Sequence, residues 1–155
     1  MNNKKVDQRI IISVMVFIAI FSVTREIINL TRKPSEQQVT KFFEEVEVDI
    51  NNRLDSNVIS SVNVYKEGDN KVVLEYIASV EYTKDSVNNA ITATMNELDN
   101  QDMNGNIKKI NSFLKAKDLS LLYRYLDSDK SLIFELEYNS DGFKGYKVGD
   151  KYLNN

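Results

Sequence analysis

The sequence predicts an α+β protein: an N-terminal transmembrane helix, then an α-β-β-α-β-β domain whose four-stranded, mostly antiparallel sheet carries helices on one face. Three observations predict it. A 15-residue run without charge lies near the N-terminus, helical apolar spacing recurs ahead of two strand pairs, and each pair is joined by a short polar turn. The expected organisation is an anchor with its flanks over 1–33, a domain over 34–140 and an irregular tail over 141–155.

The run from Ile10 to Thr24 follows Lys4, Lys5 and Arg9 and is closed by Arg25 and Glu26. As a helix it is about 22 Å long, short of the roughly 30 Å hydrocarbon core. Ile27, Ile28 and Leu30 prolong the pattern to 21 residues, about 31 Å, with Arg25 reaching toward the headgroups. No A-x-A-like site follows, so the segment reads as an uncleaved single-pass anchor and membrane lipid as its partner. The expected location is the cell membrane, with the short N-terminus inside and the C-terminal domain extracytoplasmic. The flanking Lys and Arg are nearly balanced in number.

Pro34 stops any preceding helix, and Ser35 with Gln38 forms the pattern of a capping box. Val39, Phe42, Phe43, Val46, Ile50 and Leu54 then recur at helical spacing, which leaves Glu44, Glu45, Glu47 and Asp49 on a solvated face. Val58 to Tyr65, the turn Glu67-Gly68-Asp69-Asn70, and Lys71 to Tyr82 read as a hairpin. In its second strand Val72, Leu74, Tyr76, Ala78, Val80 and Tyr82 share one face. Val73, Glu75, Ile77, Ser79 and Glu81 share the other.

One interrupted helix is expected over 85–116, since Val87, Ile91, Met95 and Leu98 fall out of phase with Met103, Ile107, Ile110 and Leu114 near Gly105. A second hairpin follows, Leu119 to Leu126 and Leu132 to Tyr138 about the turn Asp127-Ser128-Asp129-Lys130. Shifting the chain by 60 residues aligns Ile59 with Leu119, Tyr65 with Tyr125 and Glu75 with Glu135, as two helix-hairpin units would. Beyond Asn139, Gly142, Gly145 and Gly149 alternate with aromatics, and an irregular tail with at most one short edge strand is expected.

Composition excludes several chemistries. With no Cys and no His, thiol catalysis, Ser-His-Asp triads and the usual zinc sites are absent. Residues 1–33 hold six Lys/Arg against two Asp/Glu and the remainder 14 against 21, an acidic body that disfavours nucleic acid as a partner. Asn100 to Ile107 resembles half a calcium loop, but Asn111 stands where the bidentate Glu belongs and Lys108 and Lys109 would repel a dication. No metal and no cofactor are expected.

The α-β-β-α-β-β order, the stretch EYIASVEYTKDSVNNAI and the closing SLIFELEY resemble small uncharacterised extracytoplasmic α+β domains of Gram-positive bacteria, lipoprotein- or membrane-anchored. The likeness spans roughly residues 35 to 140. It implies the fold and location already read, and brings no catalytic motif. This chain lacks the lipoprotein cysteine.

The expected function is a non-enzymatic, membrane-anchored protein-binding module of accessory or immunity type. Its expected surface is the outer sheet face, with Val73, Ile77 and Ile133 rimmed by Glu75, Glu81, Glu135 and Glu137 and with Ser79 nearby. The alternatives are a subunit of a larger membrane complex and a carboxylate-dependent envelope hydrolase.

Overall fold

The structure, a computed structural model, describes residues 22–23, 25–27, 35–99 and 105–153, with 105–110 described by backbone alone. Ser35 caps the first helix, α1 (Glu36–Asn51), as its sequence predicts: the Gln38 N–H donates to Ser35 Oγ at 3.3 Å, and the Ser35 N–H donates to Gln38 Oε1 at 2.8 Å. Phe42, Phe43, Val46 and Ile50 are buried along its stripe. The acidic face is only partly solvated. Glu47 accepts a bond from the Val64 backbone, and Asp49 accepts from Ser22, Arg25 and Arg53.

Five strands follow in one sheet, ordered as in the chain: β1 (Ile59–Glu67), β2 (Lys71–Ala78), β3 (Ser120–Leu126), β4 (Leu132–Asn139) and β5 (Gly142–Val148). The four-stranded expectation is corrected. Residues 142–148 form a full edge strand antiparallel to β4, and the chain ends in a short helix, α4 (Asp150–Leu153). Gly149 permits the reversal, since a Cβ there would overlap the Leu132 carbonyl oxygen.

Pairing is antiparallel in both hairpins and at β4–β5, and parallel between β2 and β3. That parallel contact requires a crossover, which runs through α2 (Lys84–Asp99) and α3 (Gly105–Lys117). Residues 100–104, the centre of the calcium-like stretch, lie outside the described residues.

β2 ends at Ala78, earlier than the alternation to Tyr82 suggested. Thr83 caps α2 reciprocally with Ser86, each backbone N–H donating to the other's hydroxyl, at 2.7 Å and 3.3 Å. This cap needs a chain that has already left the sheet.

The core lies between the sheet and its helices. Leu74, Tyr76, Tyr123, Tyr125, Phe134, Leu136 and Tyr138 are buried there with Ile50, Ala90 and Leu98. Tyr125 stacks between Tyr76, with centroids 4.6 Å apart, and Phe134, at 4.4 Å. Among the described residues the helices pack on this face.

Of the expected anchor, only Ser22, Val23 and residues 25–27 are described; they are helical, and Val23 joins the core. Among the described residues no helix is long and apolar enough to cross a membrane. The rest of the Ile10–Leu30 run lies outside them.

Candidate functional site

The face of the sheet opposite the helices is not covered by any described element, and register places its side chains. Across β1, β2 and β3, Asn63, Glu75 and Arg124 lie side by side, as do Tyr65, Val73 and Leu122. Arg124 also faces Glu135 on β4.

Arg124 organises this face. Its Nε donates to Glu135 Oε2 at 3.1 Å, and Nη1 and Nη2 reach the two oxygens of Glu67 at 3.1 and 3.3 Å. Nη1 also donates to the Tyr65 hydroxyl at 2.9 Å and lies 4.0 Å from Glu75. Tyr65 in turn donates to Glu75 at 2.7 Å, and Asn63 donates to the other oxygen of that carboxylate at 3.2 Å. Further along, Lys71 Nζ donates to Glu137 at 2.8 Å. Burial disfavours the Arg124 charge, but its bonds to Glu67 and Glu135 outweigh that and hold its pKa above the ordinary arginine value. The Glu137 hydrogen bond likewise raises Lys71 against a smaller burial effect. For Tyr65, burial and then the bond to Glu75 push the phenol up.

Glu75, Glu135 and Glu137 therefore meet on one face, as the alternation predicted, but as partners of cations. Ile77 is half-buried, level with Ser61 and Leu126. Val73 and Ile133 are fully buried and expose nothing to a partner. Val73 lies between Tyr65 and Leu122 on the same face. At Ile133 the pairing slips from Tyr125↔Phe134 to Leu126↔Leu132, and this bulge takes the residue out of alternation and into the core. Ser79 and Glu81 lie past the end of β2. The Ser79 hydroxyl donates to the Ser56 carbonyl at 2.9 Å, and Glu81 is exposed off the sheet.

Sequence reading missed Arg124, Lys71, Tyr65, Asn63 and Glu67. A signal existed for one contact: across the turn at residues 127–130, a hairpin register sets Arg124 opposite Glu135. The approach of Arg124 to Tyr65 and Glu67 depends on the parallel β2–β3 pairing, which no local pattern announces.

Beside the lattice runs a groove of about 310 Å³, bounded by Lys71, Arg124 and Glu137 on one side and by Lys144, Tyr146 and Lys147 on the other. Among the described residues no cluster of acids could hold a metal ion.

A second polar cluster is structural. Asp127, 5% exposed, accepts bonds from Lys151 Nζ at 2.6 Å, the Tyr152 hydroxyl at 2.8 Å and the Ser128 N–H at 2.7 Å, and so ties α4 to the β3–β4 turn. Lys151 first, then Tyr152 and the Ser128 N–H, against a burial effect that opposes them, bring its carboxyl down to about 2. A folded pKa below the ordinary 3.8 adds stability above that value, lost as pH falls from about 4 through about 2. With Lys151 half exposed and screened, the contribution is about 1–2 kcal/mol. Acid titration of Asp127→Asn should show a shallower loss of stability in that window. An unchanged slope would place the carboxyl outside the linkage.

Comparison with protein-family models, curated proteins and solved structures finds no match to this chain. Fold and site together define a small α+β domain with one helix-covered sheet face and one face that no described element covers, where ion pairs gather around Arg124.

Proposed function

We propose that this chain is a non-enzymatic, membrane-anchored protein-binding module whose domain lies outside the cell and meets its partner with the uncovered sheet face. The observation that carries the reading is the ordered lattice around Arg124 on a face that no described element covers. Side chains already held by one another lose little further freedom when a partner docks. The groove beside β5 adds both signs of charge, which suits register-specific recognition of a polar protein surface.

The hydrolase alternative is less well supported. A general acid needs a carboxyl whose pKa is raised by burial or by a like charge. Glu75 and Glu135 instead flank a guanidinium on an open sheet.

Attachment rests on the uncharged run from Ile10. Ser22 donates to Asp49 at 2.7 Å and Arg25 to the same carboxylate at 3.2 Å. Insertion of the run as far as Leu30 would require these contacts to open, so the bilayer and α1 compete for residues 22–27. Release of the chain from membranes by alkaline carbonate would overturn the anchor.

Lys71 and Glu137 pair at the edge of the lattice, about a third exposed, and cost little stability when changed. A partner crosslinked to the full-length chain in native membranes should be recovered at least tenfold less with Lys71→Glu or Glu137→Lys. Equal recovery from both variants would count against this face.

A further inference from the structure

The two edges of the sheet are finished differently. On β1 the outward backbone is occupied: the Val62 N–H donates to Asn51 Oδ1 at 2.9 Å, Asn51 Nδ2 donates to the Val62 carbonyl at 2.7 Å, and the Val64 N–H donates to Glu47 Oε2 at 2.7 Å. Side chains of α1 thus take the places of a further strand. β5 has β4 on one side, and among the described residues no side chain bonds to the backbone of residues 144–148 on the other.

Register identifies the free groups. The Gly149 N–H donates to the Ile133 carbonyl at 2.9 Å, and the same register continues as Glu135↔Lys147 and Glu137↔Gly145. In an antiparallel pair such residues turn their N–H and C=O inward, so those of Tyr146 and Val148 point to the open edge.

We propose that the β5 edge takes up an extended acidic segment of a partner protein as a sixth strand. This rests on the reading of the domain as a protein-binding module and names the partner's conformation and charge. The Lys147 side chain makes no ion pair or hydrogen bond among the described residues, and that of Lys144 meets only the highly exposed Asp141, at 3.6 Å. The β5 strand of a second copy carries lysines and no carboxylate, so edge-to-edge pairing would add like charge. An acidic strand sets carboxylates there, and each opposite-charge cross-strand pair is favourable. Tyr146, 58% exposed, offers its ring beside the incoming chain. Main-chain bonds would supply affinity and the lysines selection.

The test uses the full-length chain and two synthetic octapeptides, Thr-Glu-Val-Glu-Thr-Glu-Val-Thr and its counterpart with lysine for every glutamate. The acidic peptide at millimolar concentration should slow amide exchange at Tyr146 and Val148 by tenfold or more and leave Val62 and Val64 unchanged. The lysine peptide should do neither. Val148→Pro removes an outward donor without touching the β4 ladder and should abolish protection. Lys144→Glu with Lys147→Glu should reverse the peptide preference. The proposal is overturned by equal effects of both peptides, by protection at Val62, or by no protection at all. It is also overturned by slow exchange at Tyr146 and Val148 without peptide, which would mean that the edge is held by a second copy or by the chain's own segment. Absent protection together with loss of the crosslinked partner in Lys71→Glu would overturn the edge and leave the face reading standing.

Discussion

Tyr125→Ala should lower the unfolding free energy by about 3–5 kcal/mol, measured by urea denaturation. The ring is fully buried, nearly parallel to Tyr76 at 8° and to Phe134 at 15°, so truncation removes two stacked contacts and opens a cavity at the centre of the sheet. Against a total of roughly 5–15 kcal/mol for a domain of this size, that is a large share. The hydroxyls of this cluster should behave in the opposite sense. Those of Tyr76 and Tyr123 are buried with no hydrogen-bond partner among the described residues, and burial pushes both phenols up. Tyr76→Phe should therefore be neutral or stabilising by about 1 kcal/mol. A loss above that in Tyr76→Phe would mean that the hydroxyl is bonded. A loss below about 1 kcal/mol in Tyr125→Ala would refute the central stack.

Arg124→Ala should cost about 2–4 kcal/mol and drop the thermal midpoint by about 10 °C or more. The guanidinium is 19% exposed and serves Glu67, Glu135 and Tyr65 at once. Its removal leaves Glu75, 18% exposed, and Glu135, 23% exposed, half-buried without their cation. Arg124→Lys should recover only part of the loss, because an ammonium cannot fork onto both Glu67 oxygens while holding Glu135. Calorimetry giving Arg124→Ala the parental midpoint would show that solvent, not Arg124, satisfies these carboxylates.

What was legible in the sequence follows the range of each interaction. The capping box at Ser35, the stripe along α1 and both hairpins are written within a few residues, and each stands in the structure close to its expected place. Glu75, Glu135 and Glu137 were placed on one face by alternation alone. Alternation failed where the backbone departed from a regular strand: at the Ile133 bulge, and after Ala78, where Thr83 must be free to cap α2. β5 was read as irregular because three glycines weakened its strand signal, and its stability comes from pairing with β4.

By itself the sequence determined the types and order of the elements from α1 to β4, the two hairpins among them, the chemistries ruled out by missing Cys and His, and the uncharged run from Ile10. Tertiary structure alone decided that β2 and β3 lie side by side in parallel, that five strands share the sheet, and that Arg124 holds Tyr65 from 59 residues away. Helical and strand periodicity report neighbours one turn or one pleat apart. A contact across a parallel crossover depends on which buried surfaces pack together, and that is settled only when the whole core forms.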